Sequence, residues 1–287
     1  MHVPHSALLE APVKKFLPAC AAGAAILLTL SACSGGGDEE ASAEAGGVEL
    51  VNAGTLTLCS DIPYEPFEFV QDGENVGLDI DLAQATADDL GVELEVITTA
   101  FEAIQSGSAL DTAQCDIALS GMTITEDRAT KMDFSKPYLK DNLALMTKKD
   151  SDIKSIEDLQ GEKAGVQQAT TGEAYATDNG VEPVQFEDAG LMTQGIQSGQ
   201  VDAVIANIST IYSATEADDS LTLVEEYDTG EVIGADVKMG NTALLEQFET
   251  TMTDLRETGE YDDLVDQWFG EVADAARLSQ EEADAAS

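Results

Sequence analysis

From Gly54 onward the chain alternates short β-type runs with segments of helical spacing, a pattern that restricts it to sheets covered by helices. Thr55-Leu-Thr-Leu-Cys59 reads as a buried strand and runs into a proline-marked loop, Asp61-Ile-Pro-Tyr-Glu-Pro-Phe-Glu-Phe69. Between Asp79 and Leu90, the residues Ile80, Ala83, Ala87 and Leu90 recur at helical spacing, and Gly91 is placed to stop the helix. A strand over Glu93–Ile97, a helix-like stretch to Thr112 and a strand over Asp116–Ser120 follow. Strands joined through helices return in the same direction, so this order implies a mostly parallel sheet.

The logic repeats after Leu143-Ala-Leu-Met146. A helix from Ser155, a strand Ala164-Gly-Val166, a loop from Gln167 to Gly172 leading into a helix, a helix over Gly190–Gly199 and a buried strand over Val201–Ala206 are expected. Near the end, Leu244, Leu245, Phe248, Met252 and Leu255 share one helical face, and Tyr261, Leu264, Val265, Trp268 and Phe269 follow. The stretch 52–270 exceeds the common domain size of roughly 100–150 residues, so two α/β lobes fit better than one core. The Ala- and acid-rich residues 271–287 are expected to form a frayed acidic tail.

At the N-terminus, Lys14 and Lys15 precede an apolar run from Cys20 to Leu30, which ends in Leu30-Ser31-Ala32-Cys33. A charged start, a short apolar core and small residues before a cut describe a secretory signal over 1–32. The run falls short of the about 20 apolar residues of a membrane span, which leaves a permanent anchor as the second reading. Leu-Ser-Ala-Cys resembles the bacterial lipobox, in which cleavage precedes the Cys and its thiol carries a diacylglycerol. Residues 33–51, opening Cys33-Ser-Gly-Gly-Gly, offer little to bury and are expected to be a flexible tether. The implied location is the outer face of the cytoplasmic membrane, with Cys33 as the lipid-bearing residue.

Charge removes several partners. The chain carries 13 Lys and Arg against 56 Asp and Glu, a formal net charge of −43. Nucleic acid and anionic membrane surfaces need a basic footprint and are excluded as partners. Both histidines, His2 and His5, lie in the leader, so the mature chain lacks the commonest metal ligand and general base. No Cys/His cluster is present, and neither a metal nor a cofactor is expected. Only Cys59 and Cys115 remain in the body.

Five ordered segments carry a resemblance. They are Gly77-Leu-Asp-Ile-Asp-Leu82, the run Cys115-Asp-Ile-Ala-Leu-Ser-Gly-Met-Thr-Ile-Thr-Glu-Asp-Arg-Ala129, Met132-Asp-Phe-Ser-Lys-Pro-Tyr138, Gly199-Gln-Val-Asp-Ala-Val-Ile205 and Gly259–Phe269. In order and spacing they resemble the family 3 extracellular solute-binding proteins, the polar amino-acid receptors of ABC importers, over roughly residues 50–270. The resemblance implies an α/β, two-lobed, periplasmic-binding-protein-like clamp of type II, each lobe a mostly parallel sheet flanked by helices. Crossings are expected near Leu139–Leu143 and Thr229–Ala235, with lobe 1 formed by 52–139 plus 236–270 and lobe 2 by 144–230. The implied partners are a small amino-acid-like ligand and a cognate ABC permease, the protein itself acting as a monomer.

Ser120-Gly-Met-Thr123 follows a strand, at the carboxyl edge where parallel sheets bind ligands. Gly121 permits close approach, Thr123 offers a hydroxyl and an amide, and Arg128 has the planar fork suited to a carboxylate. A surface ion pair of Arg128 with Glu126 or Asp127 is the competing reading. Thr170 and Thr171 precede Gly172 at an expected helix N-terminus, where free amides attract anions and where Thr also serves as a plain cap. The resemblance implies that this turn is the second clasp on the same carboxylate. Tyr64 and Phe101 are candidates to sandwich the solute or to pack the core. Asp61, ending the first strand, can accept from an amide or ammonium. Two departures stand out. Asn207 occupies a position where the family commonly carries an acid for the solute's ammonium, though it also fits a helix N-cap, and Gln167 occupies one often basic in relatives that bind amide or acidic side chains.

In the family's sheet the strands holding Cys59 and Cys115 run parallel as neighbours. A four-residue offset at 3.3 Å per residue gives about 13 Å, beyond the about 7 Å a disulfide spans between Cα atoms, so two buried thiols are expected. The rival function is an enzyme on the same fold, dehydratase or lytic transglycosylase-like, drawing on Asp61, Glu65 or Glu173 as acid or base. A ligand-sensing module, acting through a separate partner, is the third.

Overall fold

The computed structural model describes residues 43–45, 47–159 and 161–286. The leader expected over 1–32, its lipidation residue Cys33 and the start of the tether lie outside them. Strand β1 (Thr55–Ser60) is buried from Leu56 to Ser60, as a strand covered on both faces must be. Its parallel neighbours are β2 (Glu93–Thr98) and β3 (Ile117–Ala118). The helix Leu78–Leu90 links β1 to β2 and ends at Gly91 in the left-handed conformation, φ 68°. After β4 (Met132–Phe134) the chain leaves through Leu139–Lys140. It then builds β5 (Leu143–Lys148), β6 (Ala164–Gln167), β7 (Val184–Phe186), β8 (Ala203–Asn207) and β9 (Leu221–Tyr227). The return passes through Val232–Ile233, paired antiparallel with Lys140 and Leu139, and ends in β10 (Asp236–Lys238).

Two five-stranded sheets result, ordered β2-β1-β3-β10-β4 and β7-β6-β8-β5-β9. In each, one strand opposes its neighbours: β10 is antiparallel to β3 and β4, and β5 to β8 and β9. Both reversed strands are the ones that follow a crossing. The remaining strands finish at the edge facing the other lobe, so a chain arriving from that lobe enters at this edge and must run the opposite way. The sheets are therefore mixed, with the mostly parallel character intact. Helix Thr242–Thr258 packs Leu244, Phe248, Met252 and Leu255 inward, and its Thr251 hydroxyl donates to Asp89 at the end of the first helix.

Three expectations are corrected. The tail is not frayed: Ala273, Ala276, Leu278 and Ala283 are buried, and Arg277 holds Asp262, Asp266 and Asp274. Ser279 and Glu282 close a reciprocal capping box on helix Gln280–Ala285, a signal readable as Ser-x-x-Glu in the sequence. The tether ends earlier than residue 51. Val48 and Leu50 are buried on alternate positions around exposed Glu49, and the Val51 amide donates to Asp116 at 2.6 Å.

The cysteines are joined: Cys59 and Cys115 form a disulfide with Cα atoms 5.7 Å apart. The expected offset is absent because Cys115 does not prolong β3. That strand is two residues long, with Ala118 level with Cys59. Before it, the Asp116 carboxylate accepts the Thr57 amide and the Asp116 amide donates to Thr57, which turns the chain back over the sheet. Both sulfurs sit in a small core with Phe101, Ile104, Leu110, Met122 and Met132. The bridge closes a loop of sequence separation 56, for which chain entropy suggests about 4 kcal/mol of stabilisation. Denaturant unfolding with and without reductant is expected to show a midpoint lowered accordingly, and the oxidised protein should offer no free thiol in its body to alkylation.

Candidate functional site

The carboxyl ends of β1, β3, β6 and β8 converge between the lobes, and each delivers part of one small cavity. Asp61 follows β1, Ser120 and Gly121 follow β3, Gln167 ends β6 and Asn207 ends β8. The cavity is lined by Tyr64, Phe101, Ser120, Gly121, Thr123 and Arg128 from the first lobe and by Gln167, Thr170, Thr171 and Asn207 from the second. Asp61 joins it through Gln167, whose Nε2 donates to the Asp61 carboxylate at 2.5 Å. All the ligand-binding residues expected from the sequence are thus brought together.

The loop after β3 is fastened from beneath. The Gly121 amide donates to Asp79 Oδ2 at 2.8 Å, and the Ser120 hydroxyl donates to Glu68 at 2.6 Å. Tyr138 donates to the other Asp79 oxygen at 2.6 Å. Gly121 has φ 51°, and a Cβ there would stand 2.7 Å from the Tyr64 ring, so only glycine lets the ring lie flat on the loop. That packing places the Tyr64 hydroxyl 2.8 Å from Asn207 Oδ1, to which it donates across the cleft. Tyr64 is therefore both a wall of the cavity and a latch.

Arg128 is buried, and the surface ion pair is not formed; Asp127 pairs with Lys131 instead. One terminal nitrogen of Arg128 donates to the Thr123 carbonyl (2.8 Å) and the other to the Ala169 carbonyl across the cleft (3.1 Å). Its guanidinium lies over the Phe101 ring, 5.1 Å from the centroid. Five N–H donors on a fork held by two carbonyls leave three for an anion. Burial lowers the Arg128 pKa, against the opposing pull of Asp236 and Glu231.

In the second lobe Thr170 caps helix Thr171–Asp178, its hydroxyl accepting from Glu173 N. Asn207 stands at the cap position of helix Ile208–Ala217 but makes no cap bond. Asp141 takes that part, accepting from the Ser209 amide, while Asn207 Nδ2 donates to the Asp141 carbonyl. At the far end, burial pushes Asp61 up to about 7, helped by Asp188 and Glu187 and opposed by the Gln167 bond. Gln167 Oε1 is buried and has no hydrogen-bond partner among the described residues. Two acceptors thus meet there, and Asp61 is anionic above about pH 7.

One participant escaped the sequence reading. Glu231, in the returning crossing, places Oε2 at 2.7 Å from the Thr123 hydroxyl and 2.9 Å from the Thr171 hydroxyl, both of which donate to it. Its position inside the second expected crossing was the available signal, since chain at that point must pass the cleft.

This geometry, two mixed α/β lobes crossed twice and meeting over a polar cavity, is that of a solute-binding clamp. Residues 56–271 match the bacterial extracellular solute-binding proteins, family 3, and the chain belongs to that family. The L-cystine-binding protein TcyJ of Escherichia coli (strain K12) is 28% identical over 223 residues, 76% of this chain and 83% of that protein. The arginine-binding extracellular protein ArtP of Bacillus subtilis (strain 168) is 29% identical over 252 residues, covering 86% and 94% of the two chains. Among solved structures, an ancestral arginine-binding protein bound to arginine superposes with a TM-score of 0.71 at 37% identity, covering 76% of this chain and 99% of the other.

Proposed function

We propose that this protein, the substrate-binding component of an amino-acid ABC importer, captures an amino acid with a cationic or donor-rich side chain between its lobes. It works outside the cytoplasmic membrane and delivers the solute to a cognate permease. The observation that carries the choice of side chain is the far wall of the cavity, where the Asp61 carboxylate and the unpartnered Gln167 Oε1 both require donors. Gln167 supplies no positive charge against an acidic side chain. The α-carboxylate falls to Arg128, with the Thr170–Thr171 turn closing on it from the second lobe. Several relatives are named for arginine, which makes arginine the first solute to try.

The enzyme reading finds less support in the cleft. Glu173 is engaged by the Ala169 amide and by Gln185, and Glu65 faces a separate surface depression with Pro63 and Thr210. Neither lines the cavity, so of the three acids the sequence offers for catalysis only Asp61 stands at it.

The N-terminal signal and Leu30-Ser31-Ala32-Cys33 support anchoring of a monomeric body by lipid on Cys33. The span from Cys33 to the buried Val48 then serves as the link between membrane and body. The Cys33→Ser protein is expected to lose labelling by palmitate in cells while the purified body keeps its ligand affinity; continued labelling would exclude the anchor.

Calorimetry with arginine tests the clasp. Arg128→Ala is expected to abolish detectable binding, since removing one partner of a desolvated charge pair costs about 2–5 kcal/mol. Arg128→Lys should not restore it, because an ammonium lacks the planar fork. Unaltered affinity in either variant excludes Arg128 from the carboxylate site.

The same titration read against pH tests Asp61. Before binding, this carboxyl titrates at about 7. A cation held against it favours the ionised form, so below that pH binding must displace a proton. Affinity for arginine should rise with pH up to about 7, by at most roughly tenfold per unit, and level off above. Asp61→Asn is expected to flatten the profile. An unchanged slope in that variant would remove Asp61 from the site.

A further inference from the structure

The cleft reads a carboxylate with Arg128 and a side-chain donor with Asp61, but the position where the family carries an acid for the solute's ammonium holds Asn207. In this structure Asn207 does not substitute for that acid. Its one acceptor atom, Oδ1, is uncharged and already receives the Tyr64 hydroxyl at 2.8 Å, and its Nδ2 donates to the Asp141 carbonyl at 2.9 Å. What Asn207 turns toward the cleft is a donor: Nδ2 also lies 3.5 Å from Glu231 Oε2. An ammonium placed there would meet N–H groups without an accepting charge. Asp61 is committed at the other end of the cavity, where Gln167 donates to it.

Glu231 brings a carboxylate to that neighbourhood. A single oxygen, Oε2, accepts from Thr123 of the first lobe and Thr171 of the second and stands beside Asn207. The backbone fixes the residue as well, since its carbonyl accepts the Asp141 amide at 3.2 Å and the next residue, Val232, pairs with Lys140. Both threonine hydroxyls donate to Glu231, so their lone pairs face outward as acceptors. A carboxylate flanked by two hydroxyl acceptors is a matched receptor for the three N–H donors of an ammonium.

We propose that Glu231 supplies the negative charge that reads the solute's α-ammonium, replacing from the crossing segment the acid that Asn207 lacks. This rests on the amino-acid reading of the cleft given above. It adds a consequence: the charge is carried by the hinge, and its hydroxyl partners come from opposite lobes. The ammonium subsite is complete only when the lobes are closed.

The test compares two probes on the intact body by calorimetry, arginine and 5-guanidinopentanoate, which is arginine without the α-amino group. Wild-type protein is expected to prefer arginine. In Glu231→Gln, which keeps an acceptor oxygen and the side-chain shape, arginine should weaken by roughly 30-fold or more. The deamino probe should change less than about threefold, so that the preference collapses. Adding Asn207→Asp to Glu231→Gln returns a carboxylate to the same neighbourhood and should restore the preference, a result that a merely structural role of Glu231 would not give. Equal weakening of both probes, with no recovery in the double variant, would make Glu231 a hinge residue and overturn the proposal. So would a preference that survives Glu231→Gln. If neither probe binds the wild-type protein, the cationic amino-acid reading of the cleft fails and the Glu231 assignment falls with it, whereas loss confined to the variants' discrimination bears on Glu231 alone.

Discussion

The paired crossing of the chain, Leu139–Lys140 against Val232–Ile233, is the constraint on which the rest of this structure depends. It makes each lobe from chain that has to enter at the cleft edge, which reverses β5 and β10 within otherwise parallel sheets. The carboxyl ends of the remaining strands then face one another, and every side chain in the cavity sits at such an end or in the loop behind it. Asp141 is the junction. Its amide bonds the Glu231 carbonyl, its own carbonyl receives Asn207, and its carboxylate takes up the Ser209 amide at the start of a lobe 2 helix. Opening the clamp would pivot close to these bonds, while Tyr64–Asn207, Gln167–Asp61 and Arg128–Ala169 would have to part.

Rigidity beneath the site comes from acids that are poor contributors to stability at neutral pH. Burial raises Asp79 to about 7, and burial together with the neighbouring Asp79 charge raises Glu68 well above the usual range. A carboxyl whose folded pKa is raised contributes most to stability below its unfolded value near 4, and that contribution is lost as pH rises through about 7. The pair is retained because Asp79, accepting from Gly121 and Tyr138, aims the loop that carries Ser120 and Thr123. Hydrophobic replacements would relieve the desolvation but leave the Gly121 amide unpartnered.

Much of this was legible in the sequence. The alternation of strands and helices carried the two lobes, and the order of Ser120, Gly121, Thr123 and Arg128 carried one wall of the cleft. Legibility failed where a residue's role depends on the chain leaving its own periodic direction. An offset counted along the strands sets Cys115 too far from Cys59, yet the turn at Asp116 brings it onto Cys59. The tail was read by composition, whereas its order derives from sparse apolar residues, Leu278 and Ala283, and from Arg277 gathering three aspartates. Glu231 looked like one acid among 56. Only its place in the second crossing marks it, because its partners Thr123 and Thr171 are 108 and 60 residues away.

The scarcity of positive charge gives the cleft its discrimination. Among the described residues, ion pairs join Lys131, Lys136, Lys140 and Arg277 to surface aspartates and glutamates, where each pair is worth little. Arg128 is different. It is buried against an aromatic ring and bonded to carbonyls, and among the described residues no carboxylate pairs with it at contact distance. A net charge of −43 surrounds it. At long range that field disfavours anions and draws cationic solutes, within the about 8–10 Å that physiological salt leaves unscreened. On the proposed reading, the Arg128 guanidinium would select among arriving cations those that also carry a carboxylate, and Asp61 at the far wall would accept the charge that brought them. Field and fork thus impose opposite requirements, and a zwitterion with a cationic side chain meets both.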